Sequence, residues 1–183
     1  FYQAAKKFGA STILRVTPDC PVLDPHVSGL VLDHFLGGGR GLDVACNTQP
    51  PTYPDGLDTE VFSFDALATA WRDARWSSER EHVTSYLYKK TSEYKVGNGT
   101  NNENLSYLRW TRDDSLDLAF VRALYSYLDD GFAPMHEILS ILKQQPELME
   151  INSATVRNEG YLKSLKEDVQ VNQVSNYPSL GPE

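Results

Sequence analysis

The chain has 183 residues, 40% of them hydrophobic, and a formal net charge of −8. That is enough for one domain with a substantial core, and the periodic apolar content excludes general disorder. The negative field excludes non-specific binding to nucleic acid or to an anionic membrane surface, and no run approaches the roughly 20 apolar residues of a membrane span.

Phe1 to Gly9 reads as the last two turns of a helix with a glycine stop, so the chain is expected to begin inside a larger protein. A strand over 11–17 follows, and then a helix from Pro25 with Asp24 as N-cap. Val27, Leu30, Val31, His34 and Phe35 form one apolar stripe on that helix, which makes His34 a packed core histidine. The run Gly37–Gly41 lacks a following Lys-Ser/Thr and leads into a strand, so it reads as a helix stop and turn rather than a phosphate loop.

A strand over 42–46, a polar, proline-rich loop over 47–58 and a strand over 59–64 come next. A helix over 65–75 carries Leu67, Ala70, Trp71 and Ala74 on one face, capped by Ser63 or Asp65. A further helix is expected over 78–90, then strands at 93–98 and 105–110 around a polar loop. Asp114 caps an amphipathic helix reaching 128, with Leu116, Phe120, Ala123, Leu124 and Tyr127 in register. A helix over 135–143 and one turn over 146–150 complete a first unit, 1–150. Residues 151–183 form a polar extension, a mobile tail or an arm onto a partner. Strands alternating with helices predict an α/β/α sandwich with a mixed sheet. The two thiols, Cys20 and Cys46, follow strands and make no disulfide framework, so they are expected to be buried in a protein of the reducing cytoplasm.

Four constellations carry chemistry. Asp19 stands where an extended run stops at Thr17-Pro18-Asp19-Cys20-Pro21, the strand edge at which open α/β sheets bind ligands. Asp113 repeats that strand-to-helix setting downstream. Two such carboxylates suit Mg²⁺, which takes one or two of them together with phosphate oxygens. The competing readings are a turn-forming aspartate for Asp19 and alternative helix caps for Asp113 and Asp114. In Tyr53-Pro54-Asp55-Gly56-Leu57-Asp58-Thr59-Glu60, Asp58 and Glu60 share a face at period two and suit the hydroxyls of a polar substrate. In Ser78-Glu79-Arg80-Glu81-His82, a Ser78/Glu81 capping box leaves Arg80 and His82 without a structural duty. Arg80 then suits an anionic group and His82 a proton, with a surface salt bridge as the alternative.

These blocks, with Tyr2-Gln3-Ala4-Ala5, Arg15-Val16-Thr17-Pro18-Asp19-Cys20-Pro21, Glu79-Arg80-Glu81-His82-Val83-Thr84, Leu108-Arg109-Trp110-Thr111 and Asn158-Glu159-Gly160-Tyr161-Leu162-Lys163-Ser164-Leu165, resemble the cytidylyltransferase family. That family includes spore-coat polysaccharide biosynthesis proteins and is related to acylneuraminate and Kdo cytidylyltransferases. The resemblance implies a nucleotide-diphospho-sugar transferase-like fold that uses CTP and Mg²⁺ to attach CMP to a sugar or sugar acid in surface polysaccharide biosynthesis. It places Asp19 and Asp113 at the metal and triphosphate, as catalytic residues, and Arg15, Asp55, Asp58, Glu60, Arg80 and His82 against the substrate. It also implies a possible homodimer, to which the stretch 151–166 would contribute.

Two differences from the family pattern stand out. Where the family resembles Thr-Val-Asp-Thr-Pro-Glu-Asp-Leu, this chain reads Thr111-Arg112-Asp113-Asp114-Ser115-Leu116-Asp117-Leu118, with Arg112 beside the expected ligand. The N-terminal segment with the first strand and the CTP-binding loop is also missing from the sequence, so these residues by themselves are expected to be inactive. The alternatives are a non-catalytic sugar-nucleotide-binding or dimerisation module, and a related transferase with another nucleotide.

Overall fold

A computed structural model describes residues 1–37, 41–129, 131–155, 157 and 159–171. Its centre is a four-stranded mixed sheet in the order β1 (Thr12–Arg15), β3 (Glu60–Ser63), β2 (Val44–Cys46), β4 (Val96–Asn98). β3 runs antiparallel to both β1 and β2, and β4 runs parallel to β2. In this register Arg15 lies directly opposite Glu60, which presents a cation and a carboxylate to each other across one face.

Strand alternation assigns the two faces. Ala45 and Val61 point to one side, where Val31 of helix α2 (Pro25–Gly37) covers them. Val44 and Phe62 point to the other, where helices α1 (Tyr2–Lys7) and α3 (Phe64–Asp73) close over them with Ala5, Leu67 and Ala70. Fully burying side chains such as Phe62 and Val61 contributes about 1.5–3 kcal/mol each, so the central strands anchor the fold. The sandwich expected from the sequence is the one observed. α3 starts at Ser63, whose hydroxyl accepts from the Ala66 amide at 3.1 Å.

A second core lies beyond the sheet. Helix α6 (Ser115–Tyr125), helix α7 (Met135–Gln144) and a 3₁₀ turn (Pro146–Glu150) bury Phe120, Leu124, Ile138, Leu142 and Leu148 against Leu108 and Trp110. Asp24 ties the two cores together: one carboxylate oxygen accepts from the His26 amide at the start of α2, the other from the Met135 amide at the start of α7, at 2.7 and 2.8 Å.

Several expected elements differ. Residues 78–90 form two short helices, α4 (Ser77–Glu81) and α5 (Ser85–Tyr88), because Val83 sits at φ +52 and breaks the run; a β-branched residue rarely adopts that left-handed region. Residues 105–110 are not a strand. They turn, with the Leu108 amide bonded to Leu105 O at 3.0 Å, so that Leu105, Leu108 and Trp110 all enter the second core rather than alternating. β4 accordingly pairs with β2 instead of forming a hairpin. His34 is exposed; its ring lies over Gly97, where a Cβ would come within 2.8 Å of Nε2. The buried face of α2 is Val27, Ser28 and Val31, with the Ser28 hydroxyl 2.9 Å from that of Thr59. α6 ends at Tyr125 and leaves Leu116 and Tyr127 exposed. Gly38–Arg40 of the glycine turn and the tail from 172 lie outside the described residues.

The polar stretch after 151 folds back onto the domain. Helix α8 (Glu159–Lys166) and the residues after it lie along 75–82: Asp168 accepts from the Ser78 amide at 2.9 Å and from the hydroxyls of Ser77 and Ser78. Backbone bonds join Ser77 to Val169 and Val171 to Arg75. Among the described residues, no helix is long and apolar enough to cross a membrane.

Candidate functional site

Beyond the end of β1 the chain opens into a cavity of about 1190 Å³. The loop after β1 supplies Thr17, Asp19 and Cys20, and the loop before β3 supplies Asp55 and Asp58. The 109–114 stretch, the α4–α5 region and α8 form the remaining walls. Two tight approaches hold these loops in place. The Asp19 carbonyl accepts from the Arg112 amide at 2.8 Å and the Thr111 hydroxyl at 3.0 Å, which fixes the loop after β1 and the 109–114 stretch side by side. Gly56 passes the 110–111 backbone so closely that a Cβ would lie 2.7 Å from Thr111 N, and its φ of +103 is open to glycine. The buried Asn47 side chain spans Leu57 O and the Thr59 amide, fixing the turn into β3.

The floor is a charged network. Arg109 donates to both oxygens of Asp117 at 2.8 and 2.7 Å, to Asp55 at 2.8 Å and to Asp113 at 2.7 Å. Asn152 braces it by donating to Asp117 and to the Arg109 carbonyl. Asp117 is fully buried; hydrogen bonds from Arg109, the Asp113 amide and Asn152 overcome that burial and hold its carboxyl down at about 2. Asp117 also accepts from the Asp114 amide while Asp114 accepts from the Asp117 amide, a reciprocal cap for α6. Arg157 bonds Asp58 at 2.7 Å and lies 3.7 Å from Asp55. Burial pushes the Asp55 carboxyl up against the pull of both arginines, and it pushes Asp58 up to about 6.

The other wall is built on β3. One oxygen of Glu60 pairs with Arg15. The other accepts from Thr84 at 2.6 Å and Tyr88 at 2.7 Å. Arg15 Nε is buried with no hydrogen-bond partner among the described residues. His82 lies 3.1 Å from the Ser164 hydroxyl and meets the Tyr161 ring edge-on; burial lowers its pKa, so the ring is neutral near pH 7.

The cavity therefore gathers Asp19, Asp113, Arg15, Asp55, Asp58, Glu60 and His82, but not Arg80. Arg80 donates to Trp71 O at 2.7 Å and Ala74 O at 3.0 Å and lies over the Trp71 ring. It has the structural duty that its sequence context hid: it closes the C-terminal end of α3. The expected Ser78/Glu81 capping box is also replaced. Glu79 accepts from the amides of Arg75 and Trp76, and Glu81 accepts from Ser164 on α8. Cys46 is buried, but Cys20 lines the cavity, its thiol pushed up to about 12 by burial.

Sequence reasoning missed Arg109, Asp117, Asn152 and Arg157. An arginine inside the apolar run Leu108-Arg109-Trp110 was the available signal for a buried ion pair, and Asp117 three residues after Asp114 was the signal for a cap. Nothing local marked Asn152 or Arg157.

Asp19 makes no ion pair among the described residues; its contact is the Cys20 thiol at 3.8 Å. Asp113 is half-exposed and gives one oxygen to Arg109. No group of three or more His, Cys, Asp or Glu side chains arranged for a metal occurs among the described residues. Asp19 and Asp113 by themselves therefore form no protein cage for a cation.

No family model matches the chain. It is 31% identical over 163 residues to an uncharacterized protein of Methanocaldococcus jannaschii, covering 88% of this chain and 65% of that protein. A cytidylyltransferase from Leptospira borgpetersenii superposes with a TM-score of 0.77 at 25% identity, covering 85% of this chain and 64% of that one. The chain thus spans just under two thirds of the length of both relatives, and its mixed-sheet sandwich is the fold of that cytidylyltransferase.

Proposed function

We propose that this chain forms the acceptor side and the ion-holding edge of a nucleotidyltransferase that moves CMP from CTP to a sugar or sugar acid, releasing pyrophosphate, in the synthesis of a surface polysaccharide. The observation that carries this reading is the junction of Asp19 with the 111–113 segment, which brings two carboxylates far apart in sequence to one cavity. The fold shared with a cytidylyltransferase supports it. Asp19 and Asp113 would hold Mg²⁺ together with the phosphates, and the ion would neutralise the oxygens of the departing pyrophosphate. Asp55 and Asp58, set by Arg109 and Arg157, offer carboxylate acceptors to the hydroxyls of the acceptor sugar.

A binding module without catalysis is the second reading, favoured by one observation: Asp113 already carries a cation partner in Arg109. Calorimetry of the full gene product with CTP and Mg²⁺, followed by a pyrophosphate-release assay, separates the two. The transferase reading expects CTP binding that needs Mg²⁺ and release that Asp19→Ala abolishes without unfolding the protein. Undiminished turnover in that variant removes Asp19 from the ion site, and binding without any release favours the module.

A further inference from the structure

Attack of a sugar hydroxyl on a nucleotide needs a group to receive its proton; besides Glu159 and Glu167, which are exposed at the α8 side, the cavity walls hold one carboxylate with the freedom to do so. Glu60 has both oxygens bonded, to Arg15 on one side and to Thr84 and Tyr88 on the other. Asp55 is buried between Arg109 and Arg157. Asp114 caps α6 with one oxygen and takes Thr155 with the other. Asp19 and Asp113 belong to the ion-holding edge. His82 has Nε2 committed to Ser164. Asp58 differs from all of these: Oδ1 accepts from Arg157, while Oδ2 has no hydrogen-bond partner among the described residues, and the side chain is 31% exposed on the cavity wall.

We infer that Asp58 is the general base of the transfer, with Arg157 as the positioning residue that fixes its orientation through Oδ1; this rests on the transferase reading above. In the step, the acceptor hydroxyl oxygen bonds to the α-phosphorus of CTP and the bond from that phosphorus to the bridging oxygen breaks. Pyrophosphate leaves with the electron pair, and the hydroxyl proton passes to Oδ2 of Asp58 and then to solvent. The charged and titratable groups facing Asp58 agree with this role. Burial raises its proton affinity most, Arg157 lowers it, and Asp55 on its own loop and Glu60 on β3 raise it further. A carboxylate that binds protons more readily than an ordinary aspartate is a better base near neutral pH.

The test uses the full gene product with CTP, Mg²⁺ and a panel of neutral sugars, acylneuraminate and Kdo, with water as the default acceptor. Asp58→Asn is expected to lower kcat by about 10²–10⁴-fold while the affinity for CTP, read by calorimetry, changes less than about twofold. The wild-type rate is expected to fall on the acid side of about pH 6, a limb that Asp58→Asn abolishes. Arg157→Gln is expected to move that limb to higher pH, an effect that mere loss of packing would not produce. Turnover retained in Asp58→Asn with the acid limb intact overturns the inference and leaves the transferase reading standing. Absence of Mg²⁺-dependent CTP binding overturns both. Binding without pyrophosphate release from any acceptor, water included, also overturns the general base.

Discussion

Replacing Arg109 with methionine tests whether the charged floor of the cavity holds the fold together. The substitution keeps much of the side-chain volume but strands Asp117, which is fully buried, and Asp55, which is 6% exposed. Removing one partner of a buried ion pair typically costs about 3–5 kcal/mol. An independent figure comes from proton linkage. The Asp117 carboxyl is held at about 2 rather than at 3.8, which corresponds to about 2 kcal/mol. For a domain of this length the loss lowers Tm by on the order of 10 °C. The sign with pH follows. A depressed carboxyl stabilises the fold above its unfolded value near 4 and loses that contribution as pH falls through about 2. Arg109→Met therefore flattens the acid dependence in that window. Urea melts from pH 2 to pH 7 measure both effects, and the double variant with Asp117→Asn recovers about 1–3 kcal/mol of the loss. A loss under about 1 kcal/mol, or strictly additive effects in the double variant, would show that the network is a surface ornament and refute the reasoning.

Gly56→Ala is expected to cost about 2–4 kcal/mol, since a Cβ would sit 2.7 Å from the 110–111 backbone at a positive φ; thermal denaturation reads it, and a change under about 0.5 kcal/mol would mean the two loops are not locked. Asp168→Ala removes the acceptor for Ser77 and Ser78 and is expected to weaken the hold on α8. Amide exchange should then quicken several-fold over 159–171 while the sheet amides are unchanged. Asp58→Asn is expected to stabilise the fold at pH 7. Raising an aspartate from 3.8 to about 6 disfavours its ionised form by at most about 3 kcal/mol, and solvent screening of a partly exposed side chain reduces this to about 1 kcal/mol. Wild type gains stability as pH falls from 7 through about 6, and the variant should not; equal acid dependence in the two proteins would contradict the environment assigned to Asp58.

The elements whose signal is local were legible in the sequence. Asp24 before Pro25, Ser63 before Phe64 and Asp114 before Ser115 each announce a helix start through chemistry confined to a few residues. The breaks came where long-range contacts decide. Nothing in the run 78–90 reveals that Val83 takes a positive φ, and the apolar residues of 105–110 look like a strand until the second core claims them. At the site, the sequence named carboxylates well and their partners poorly. Asp19, Asp55, Asp58, Glu60 and Asp113 lie together, but the arginines opposite them come from other stretches of chain, and pairing across 54 residues for Arg109 and Asp55, or 99 for Arg157 and Asp58, leaves no periodic trace. Arg80 went the opposite way: a cation at a helix start looked available, and its acceptors were backbone carbonyls that a sequence does not display.

The distribution of those arginines separates two jobs within one cavity. Arg109 satisfies Asp117 with two bonds and is itself buried, so the pair acts as a fixed support under Asp55 and Asp113. Arg15 and the hydroxyls of Thr84 and Tyr88 do the same for Glu60. A carboxylate bound on both oxygens has little left to offer a substrate. Asp58 is held on one side by an arginine from the C-terminal stretch, and its burial is incompletely compensated, which is why its charge costs stability. Natural folds keep such uncompensated groups where function needs them. The gain in stability and the loss in turnover expected of Asp58→Asn are thus two readings of one electrostatic fact. If the substitution raised stability without touching catalysis, the strain at Asp58 would have no use in the proposed reaction.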